Sequence, residues 1–202
     1  MKIFIATANK HKKEELLKIL PKENNKGENF EYLTFLDFPS LISPEENALT
    51  LKENALIKAK SGLKQTGLAT LADDTGLMVD ALDGAPGVFS ARYAFKDRAD
   101  YAANNQKLLK ELENLPKEKR TARFKTICVL ALPSGEIFIK EGAVEGYITQ
   151  DYFGTQGFGY DPIFEVKTLG KTMAALTTEE KNKISHRGQA FRQIIPILKD
   201  LS

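Results

Sequence analysis

Short apolar runs alternate along the chain with stretches in which leucine recurs at helical spacing. The apolar runs predict strands at 3–6, 30–35, 68–72, 123–132 and 137–145, the last two paired across Pro133-Ser134-Gly135. The helical spacing predicts helices at 12–20, at about 43–65, stopped by Gly67, and at 101–115. The core positions expected in the second helix include Leu49, Leu56, Ala59 and Leu63. Thr177 and Glu180 form a capping-box pattern, and Ser185 is placed to cap a final helix. Because strands and helices mix throughout, the pattern predicts an α/β fold with a mixed central sheet.

Length, charge and cysteine content narrow the class of protein. The 202 residues suit a single domain over 1–202, which we expect to form two lobes around a cleft. The net charge is only +2, whereas nucleic-acid binders usually have a basic excess, so we expect no nucleic-acid partner. Cys128, the single cysteine, lies in an apolar run and is expected to be a buried strand thiol. No apolar run approaches the length of a membrane span, which predicts a cytoplasmic protein without a membrane partner.

Two groups of polar residues come directly after predicted strands. The segment Thr7-Ala8-Asn9-Lys10-His11-Lys12 opens a helix, and its small residues and lysines suit a phosphate at the positive helix end. An ordinary strand-to-helix turn with solvated lysines fits the same pattern. Asp73-Asp74 ends the strand at 68–72, and strand alternation turns the two carboxylates to opposite faces. One of them, with Glu45 or Glu46, suits Mg²⁺, and the alternative is a turn role for the aspartates and a helix-start preference for the glutamates.

Two later groups suit a nucleoside. The glycine-rich segment 154–159 is followed by Pro162 and apolar residues, which argues against a dinucleotide fingerprint. Phe158 and Tyr160 suit stacking on a base, although a glycine-rich turn with two core aromatics has the same pattern. Lys181, His186 and Arg187 lie within reach of one helix end and indicate recognition of an oxygen-rich anionic ligand. The alternative for this cluster is a solvated helix start.

Six motifs, in order over residues 5–191, resemble the Ham1/RdgB family of inosine triphosphate pyrophosphatases. They begin with Ala6-Thr7-Ala8-Asn9-x-x-Lys12, Glu46 with Glu53-Asn54-Ala55-x-x-Lys58-Ala59, and Ala72-Asp73-Asp74-Thr75-Gly76-Leu77-x-Val79-Asp80-Ala81-Leu82. They continue with Gly84-x-Pro86-Gly87-Val88-x-Ser90-Ala91-Arg92-Tyr93, Gly157-Phe158-Gly159-Tyr160-Asp161-Pro162-x-Phe164 and Glu180-Lys181-x-x-x-Ser185-His186-Arg187. Each motif alone is a weak indication, whereas six in the family's order are a strong one.

The resemblance implies an elongated α/β fold, with helices on both sides of a mixed central sheet and two lobes flanking a substrate cleft, and a homodimer. It implies Mg²⁺-dependent hydrolysis of ITP, dITP, XTP and dXTP at the α–β phosphoanhydride, giving the monophosphate and pyrophosphate. Carried over by position, Glu46 and Asp74 would bind Mg²⁺, and Asp74 would also be the catalytic proton acceptor. The substrate would be bound by Thr7, Ala8, Asn9, Lys10, His11, Lys12, Thr75, Phe158, Gly159, Tyr160, Asp161, Lys181, His186 and Arg187. Ala8 stands where the family usually has Gly or Ser, so this turn must avoid positive φ.

Three other functions are alternatives to the pyrophosphatase activity that the resemblance implies. A Maf-like pyrophosphatase acting on other altered nucleotides would have a similar fold, but the pair His186-Arg187 favours the first family. A non-catalytic nucleotide sensor would need the phosphate and base motifs without both Glu46 and Asp74, and the presence of both favours catalysis. A nucleic-acid-binding module has the least support, given the near-neutral charge.

Overall fold

The part of the chain that the computed structural model describes, residues 1–38 and 40–201, forms eight β-strands, six α-helices and several short 3-10 helices. The strands are β1 (Lys2–Ile5), β2 (Glu31–Thr34), β3 (Ala69–Val79), β4 (Pro86–Gly87), β5 (Thr121–Ala131), β6 (Ile137–Ile148), β7 (Phe164–Val166) and β8 (Lys171–Thr172). The α-helices are α1 (Lys10–Ile19), α2 (Leu51–Thr66), α3 (Tyr101–Glu111), α4 (Thr178–Ile184), α5 (His186–Arg192) and α6 (Ile195–Lys199).

The strands follow the order β2-β1-β3-β5-β6-β7-β8, and β4 pairs with β3. Strand β1 is parallel to β2 and β3, whereas the β3–β4, β6–β7 and β7–β8 pairs are antiparallel. The fold is therefore a mixed α/β fold with a central mixed sheet flanked by helices, which confirms the predicted fold class.

Among the element boundaries that differ from the prediction, two matter for the site. Strand β3 does not end at Ala72 but continues through Asp73 and Asp74 to Val79. Helix α2 begins at Leu51 and not at residue 43, because Thr50 is its N-cap and accepts a hydrogen bond from the Glu53 N–H. Glu45 and Glu46 therefore lie in an irregular segment before the helix, not in its first turn.

Of the other local predictions, two helix caps are confirmed, and the final helix and one core residue are wrong. Gly67 ends α2 with a φ of 67°, and Thr177 with Glu180 forms a complete capping box at α4, both as predicted. The predicted final helix is in fact two helices, because α5 ends at Arg192 and Pro196 lies in the first turn of α6. Leu49, predicted to be in the core, is exposed.

By their internal contacts the described residues divide into two compact units. Unit 1 comprises Met1–Asp74, Thr126–Gly142 and the chain from Arg187 onward, and unit 2 comprises Thr75–Lys125 and Ala143–His186. Strands β3, β5 and β6 contribute residues to both units.

The core of unit 1 contains the sheet face formed by alternate residues of β1 and β3. Ile3, Ile5 and Leu71 are fully buried there with Leu16 of α1 and Phe191 of α5. Since successive strand residues point to opposite faces, the residues between them are turned toward other elements. Helices α1 and α5 therefore cover one face of these strands.

Helix α2 covers the opposite face of the same two strands. Phe4 and Thr70 are partners in the parallel register of β1 and β3 and are both buried. Gly62 of α2 packs directly on them, and a Cβ at Gly62 would lie 2.7 Å from Thr70 Cγ2 and 2.9 Å from the Phe4 ring. This close approach explains a glycine inside a helix, where glycine is otherwise unfavourable.

The core of unit 2 is built around the second half of β3 and helix α3. Its members are Leu77, Val79, Leu108, Leu112, Ala122, Phe124, Val144, Ile148, Tyr160, Ile163, Phe164, Val166, Met173 and Leu176. The rings of Phe124 and Phe164 lie 4.6 Å apart between centroids. These side chains come from strands, 3-10 helices and loops, so the unit's irregular segments are part of its core.

The single cysteine, Cys128, lies in strand β5, as its apolar run predicts. Cys128 is buried and unpaired, and burial raises the pKa of its thiol well above the ordinary value. None of the helices in the described part of the chain has the length and apolar character needed to cross a bilayer.

We expect Gly62→Ala to destabilise the protein. The helix-propensity gain of about 1 kcal/mol should be outweighed by overpacking against Phe4 and Thr70, which typically costs about 1–3 kcal/mol. The measurement is the free energy of unfolding in urea, with the exposed neighbour Lys60→Ala as the control that stays within about 0.5 kcal/mol of the original. A Gly62→Ala protein more stable than the original would contradict the close packing of α2.

Candidate active site

Strand β3 carries two adjacent aspartates into the interior of unit 1. Asp73 is 4% exposed and Asp74 is 7% exposed. Because both lie within the strand and not at its end, alternation turns Asp73 to the face covered by α1 and α5 and Asp74 to the face covered by α2. Two buried carboxylates then need cations from opposite sides.

Asp73 receives its cations from α1 and from the start of α5. Lys12 Nζ lies 3.1 Å from Asp73 Oδ2, and Nε and Nη2 of Arg187 each lie 3.4 Å from the same oxygen. Burial works to raise the pKa of Asp73, but Lys12 and Arg187 outweigh it and hold that pKa below its ordinary value. Arg187 is itself 3% exposed, and its Nη1 donates to Glu15 Oε2 at 2.7 Å. Burial lowers the pKa of Lys12 despite the attraction of Asp73.

Asp74 receives its cation from α2. Lys58 Nζ lies 2.8 Å from Asp74 Oδ1 and 2.9 Å from Glu46 Oε2, so one buried ammonium joins two carboxyl groups. Burial raises the pKa of Asp74, and Lys58 offsets this only in part. Burial works in the same direction on Glu46, but there Lys58 outweighs it and the pKa is lowered. The two neighbouring carboxyl groups therefore differ, and Asp74 takes up a proton more readily than Glu46.

The irregular segment that carries Glu46 is fixed by α2. Asn54 is 2% exposed, accepts a hydrogen bond from the Ala48 N–H at 3.0 Å and donates to the Ala48 carbonyl at 3.4 Å. Lys58 lies four residues later on the same helix face and holds the Glu46 side chain. Ala48 therefore occupies a well-held backbone position.

Sequence reasoning assigned no function to Glu15, Asn54, Lys58 or Asp73. Asn54, Lys58 and Asp73 stand inside motifs that were recognised, and the spacing of Asn54 and Lys58 already places them on one helix face. For Glu15 nothing local distinguishes a carboxylate that pairs inside the protein from the other charged residues of a solvated helix. Its role is visible only with Arg187 beside it.

The segment between β1 and α1 is a self-capped helix start. The Thr7 side chain accepts a hydrogen bond from the Asn9 N–H at 3.1 Å. Asn9 is the N-cap, and its Oδ1 accepts from the N–H groups of His11 at 2.9 Å and Lys12 at 3.2 Å. Thr7 is buried, Asn9 is half-buried, and the other predicted phosphate residues Ala8, Lys10 and His11 are exposed.

The backbone at Ala8 agrees with its small side chain. Among the described residues, Asp83 is the non-glycine residue with positive φ, so the turn at Ala8 avoids the left-handed region as predicted. Among the predicted triphosphate residues, Lys12 forms an ion pair with the buried Asp73.

Unit 2 contains the predicted base-binding residues. The loop of residues 157–161, here called the glycine loop, wraps around the Asp161 carboxylate. Asp161 Oδ2 accepts from the Phe158 N–H at 2.8 Å and from Lys181 Nζ at 2.6 Å, and Asp161 and Lys181 are both nearly fully buried. The half-buried Phe158 ring lies 5.2 Å from Lys181 Nζ, a cation–π distance. The Tyr160 hydroxyl donates to the Ser90 carbonyl at 2.9 Å, and its ring is in the core.

The cluster Lys181, His186 and Arg187 is distributed over both units. Lys181 and His186 belong to unit 2, where His186 is 3% exposed and its ring stacks on Phe124 at 4.6 Å between centroids. Arg187 belongs to unit 1, where its guanidinium contacts Glu15 and Asp73. Thr75, the first residue of unit 2, follows Asp74 in β3 and is half-buried.

Glu46 and Asp74 supply only some of the oxygen ligands that a hard cation needs. Within residues 1–38 and 40–201, no group of three or more His, Cys, Asp or Glu side chains is arranged to hold a metal ion. Two carboxyl groups with no nitrogen or sulfur ligand nevertheless match the chemistry of Mg²⁺, which takes one or two carboxylates and completes its shell with water and phosphate oxygens. The residues present therefore fit an ion that arrives with a phosphate ligand.

We expect Lys58→Met to lower the free energy of unfolding by about 2–4 kcal/mol, because it leaves Asp74 and Glu46 without their shared cation. The deficit should be smaller at about pH 5 than at about pH 8, since a carboxyl whose folded pKa is raised stabilises the fold below that pKa and loses this as pH rises through it. Urea unfolding at both pH values measures it.

The exposed Lys60→Met on the same helix is the control for this substitution, because it changes the same side chain without touching either carboxyl group. A Lys58→Met deficit no larger than that of the control, or one that grows toward acid, would contradict the ion-pair account.

Comparisons with known proteins agree with this fold. The model of the Ham1 family matches residues 3–197. A protein of Elusimicrobium minutum named dITP/XTP pyrophosphatase is 54% identical over 199 residues, which cover 98% of this chain and 100% of that protein.

Two solved structures are also similar over their full length. A HAM1 protein from Coxiella burnetii superposes with a TM-score of 0.86 at 39% identity and covers 100% of both chains. A nucleoside-triphosphatase, dITP/XTP pyrophosphatase, from Mycobacterium abscessus has a TM-score of 0.76 at 42% identity and covers 97% of this chain and 100% of its own. With a family match over nearly all of its residues and relatives of this identity, the chain belongs to the Ham1 family.

Proposed function

We propose that this chain hydrolyses the non-canonical purine nucleotides ITP, dITP, XTP and dXTP to the monophosphate and pyrophosphate with the help of Mg²⁺. The observation that carries the proposal is the pair of buried, oppositely facing aspartates in unit 1, each with its own cations. It is supported by the names of the Elusimicrobium and Mycobacterium relatives, which are dITP/XTP pyrophosphatases.

The charge of the unit 1 cluster supports a role for a metal ion. Its cations are Lys12, Lys58 and Arg187, and its anions are Glu15, Glu46, Asp73 and Asp74. Three cations against four anions leave this cluster slightly negative. A triphosphate brings several more negative charges, so favourable binding requires an additional cation, which Glu46 and Asp74 would hold.

Asp74 is suited to accept a proton from the attacking water. Its raised pKa makes it a stronger base than an ordinary aspartate, and Lys58 keeps the carboxyl group oriented. Mg²⁺, when bound, would supply neutralisation of the developing phosphate charge. Lys12, held by Asp73 in the first turn of α1, would bind the phosphates together with the positive helix end.

Base selection is assigned to unit 2. The half-buried Phe158 ring offers a stacking surface that suits any purine. Lys181 is an obligate donor and His186 can donate from either ring nitrogen, which suits the 6-oxo group of hypoxanthine and xanthine but not the 6-amino group of adenine. Arg187 is a further obligate donor in this proposed set, and its guanidinium also contacts Glu15 and Asp73.

A homodimer and a cytoplasmic location, both taken from the family resemblance and the sequence, belong to the same proposal. Light scattering in solution tests the first, since a monomer has a mass of 22.5 kDa.

We expect ITP and XTP to be cleaved at least about 100-fold faster than ATP, because buried polar mismatches discriminate strongly between ligands. The measurement is a panel of nucleoside triphosphates with Mg²⁺, in which pyrophosphate and orthophosphate are quantified separately. Pyrophosphate with the monophosphate is the expected product pair. Release of orthophosphate alone would overturn the proposed bond, and binding without turnover would indicate a nucleotide sensor. Asp74→Asn should reduce the rate by about 100-fold or more, which excludes a contaminating enzyme.

We expect Glu46→Gln to raise the Mg²⁺ concentration needed for half-maximal activity by about tenfold or more, because it removes one of two carboxylate ligands. Glu45→Gln is the matched control, since Glu45 is the exposed neighbour with the same side chain. Magnesium titrations at saturating ITP measure both variants. A larger shift for Glu45→Gln would mean that the metal position is wrong by one residue.

A further inference from the structure

Helix α3 carries two adjacent buried asparagines that are not among the predicted site residues. Asn104 is 1% exposed and Asn105 is 3% exposed. Asn104 holds the segment of residues 90–94, where it donates to the Ala91 carbonyl at 3.0 Å and accepts from the Ala94 N–H at 2.7 Å. Asn105 Nδ2 instead donates to the Gly159 carbonyl, also at 3.0 Å, and so reaches the glycine loop.

The glycine loop has no regular backbone ladder and depends on such contacts. Gly157 and Gly159 have φ values of +79° and +67°, so the chain turns twice within three residues. The Asp161 carboxylate holds the Phe158 N–H, and the Tyr160 hydroxyl is tied to the core. The Gly159 carbonyl lies between these two points, and Asn105 fixes it.

Helix α3 also contacts the ring that the loop presents. The rings of Tyr101 and Phe158 lie 6.1 Å apart between centroids. Tyr101 and Asn105 are four residues apart and therefore share one face of α3. One helix face thus holds both the backbone of the loop, through Gly159, and the side chain of Phe158.

The carbonyl oxygen of the Asn105 side chain indicates that this residue does more than fill space. Asn105 Oδ1 is buried and has no hydrogen-bond partner among the residues that the structure describes. Burying an acceptor without a donor is costly, and leucine, of similar size, would fill the position without that cost. The contact of Nδ2 with Gly159 is then the feature that only asparagine provides here.

We propose that Asn105 is a positioning residue that fixes the Gly159 carbonyl and thereby holds Phe158 ready to stack on the purine of the substrate. The proposal rests on the proposed function only in its second half, the stacking on a purine. Asn105 acts through the loop backbone and does not itself touch the nucleotide.

The first experiment reads the loop without using activity. The chain contains no tryptophan, so Phe158→Trp places a single tryptophan in the glycine loop, and its fluorescence can be excited selectively over that of the six tyrosines. Acrylamide quenching is compared in this background alone, with Asn105→Leu and with Asn104→Ala. We expect Asn105→Leu to raise the quenching constant about twofold or more, because it frees the loop locally. Asn104→Ala should raise it less, because Asn104 reaches the loop only through the Ser90 carbonyl, to which Tyr160 also donates.

The second experiment reads substrate binding in chains that keep Phe158. Asn105→Leu should raise the KM for ITP by about 5- to 30-fold, the range expected for loss of one buried hydrogen bond, with kcat within about threefold. Asn105→Asp keeps the size but places an acceptor against the Gly159 carbonyl, so it should behave in the same way. Asn104→Ala, equally buried on the same helix, controls for lost stability, and thermal unfolding of all variants confirms that each is folded.

The outcomes separate the two proposals. Quenching in Asn105→Leu equal to that in the Phe158→Trp background alone would overturn the positioning role whatever the enzyme does. A raised quenching constant with an unchanged KM would overturn the link from loop to base. If the original chain cleaves no nucleoside triphosphate, the proposed function fails, and the quenching comparison still decides whether Asn105 holds the loop.

Discussion

Two adjacent buried aspartates in a central strand impose a constraint that much of unit 1 satisfies. Asp73 and Asp74 cannot share one cation, because a β-strand turns neighbouring side chains to opposite faces. Each buried carboxylate would be strongly destabilising without a partner, so cations must arrive from both sides of the strand. Helices α1 and α5 supply Lys12 and Arg187 on one face, and α2 supplies Lys58 on the other. The helices that cover the two faces of these strands are therefore also the source of the cations that the two aspartates need.

Asp73 and Asp74 have different cationic partners, and their pKa values therefore shift in opposite directions. Asp73, with two cations, has a lowered pKa and stays ionised, which makes it a fixed anchor for Lys12. Asp74 shares a single ammonium with Glu46, and its pKa is raised. A carboxyl group that is buried, oriented and more basic than usual suits proton acceptance, whereas one that is saturated with cations does not. Two adjacent aspartates thus differ in the direction of their pKa shift, and burial and charge decide that direction for each.

Much of this could be predicted from the sequence, and the failures have physical reasons. The fold class, the cap at Gly67 and the capping box at Thr177 depend on local patterns, and these predictions are confirmed. The end of β3 was misplaced because Asp-Asp-Thr-Gly reads as a turn, whereas tertiary cations make aspartates tolerable inside a strand. Leu49 was placed in the core on helical spacing that begins only at Leu51. The pairing of Arg187 with Glu15 could not be predicted, because it joins residues distant in sequence.

Several of the candidate functional residues lie in irregular segments. In two of these segments, a buried asparagine from a neighbouring helix bonds to the backbone. Asn54 bonds both backbone groups of Ala48 beside Glu46, and Asn105 bonds the carbonyl of Gly159 beside Phe158. A loop that must present a carboxylate or a ring in one orientation has no ladder to satisfy its own N–H and C=O groups. An amide side chain supplies a donor and an acceptor without adding a charge, so it can replace that ladder beside charged residues. Mounting these amides on α2 and α3 transfers the rigidity of a helix to the segments that must be irregular.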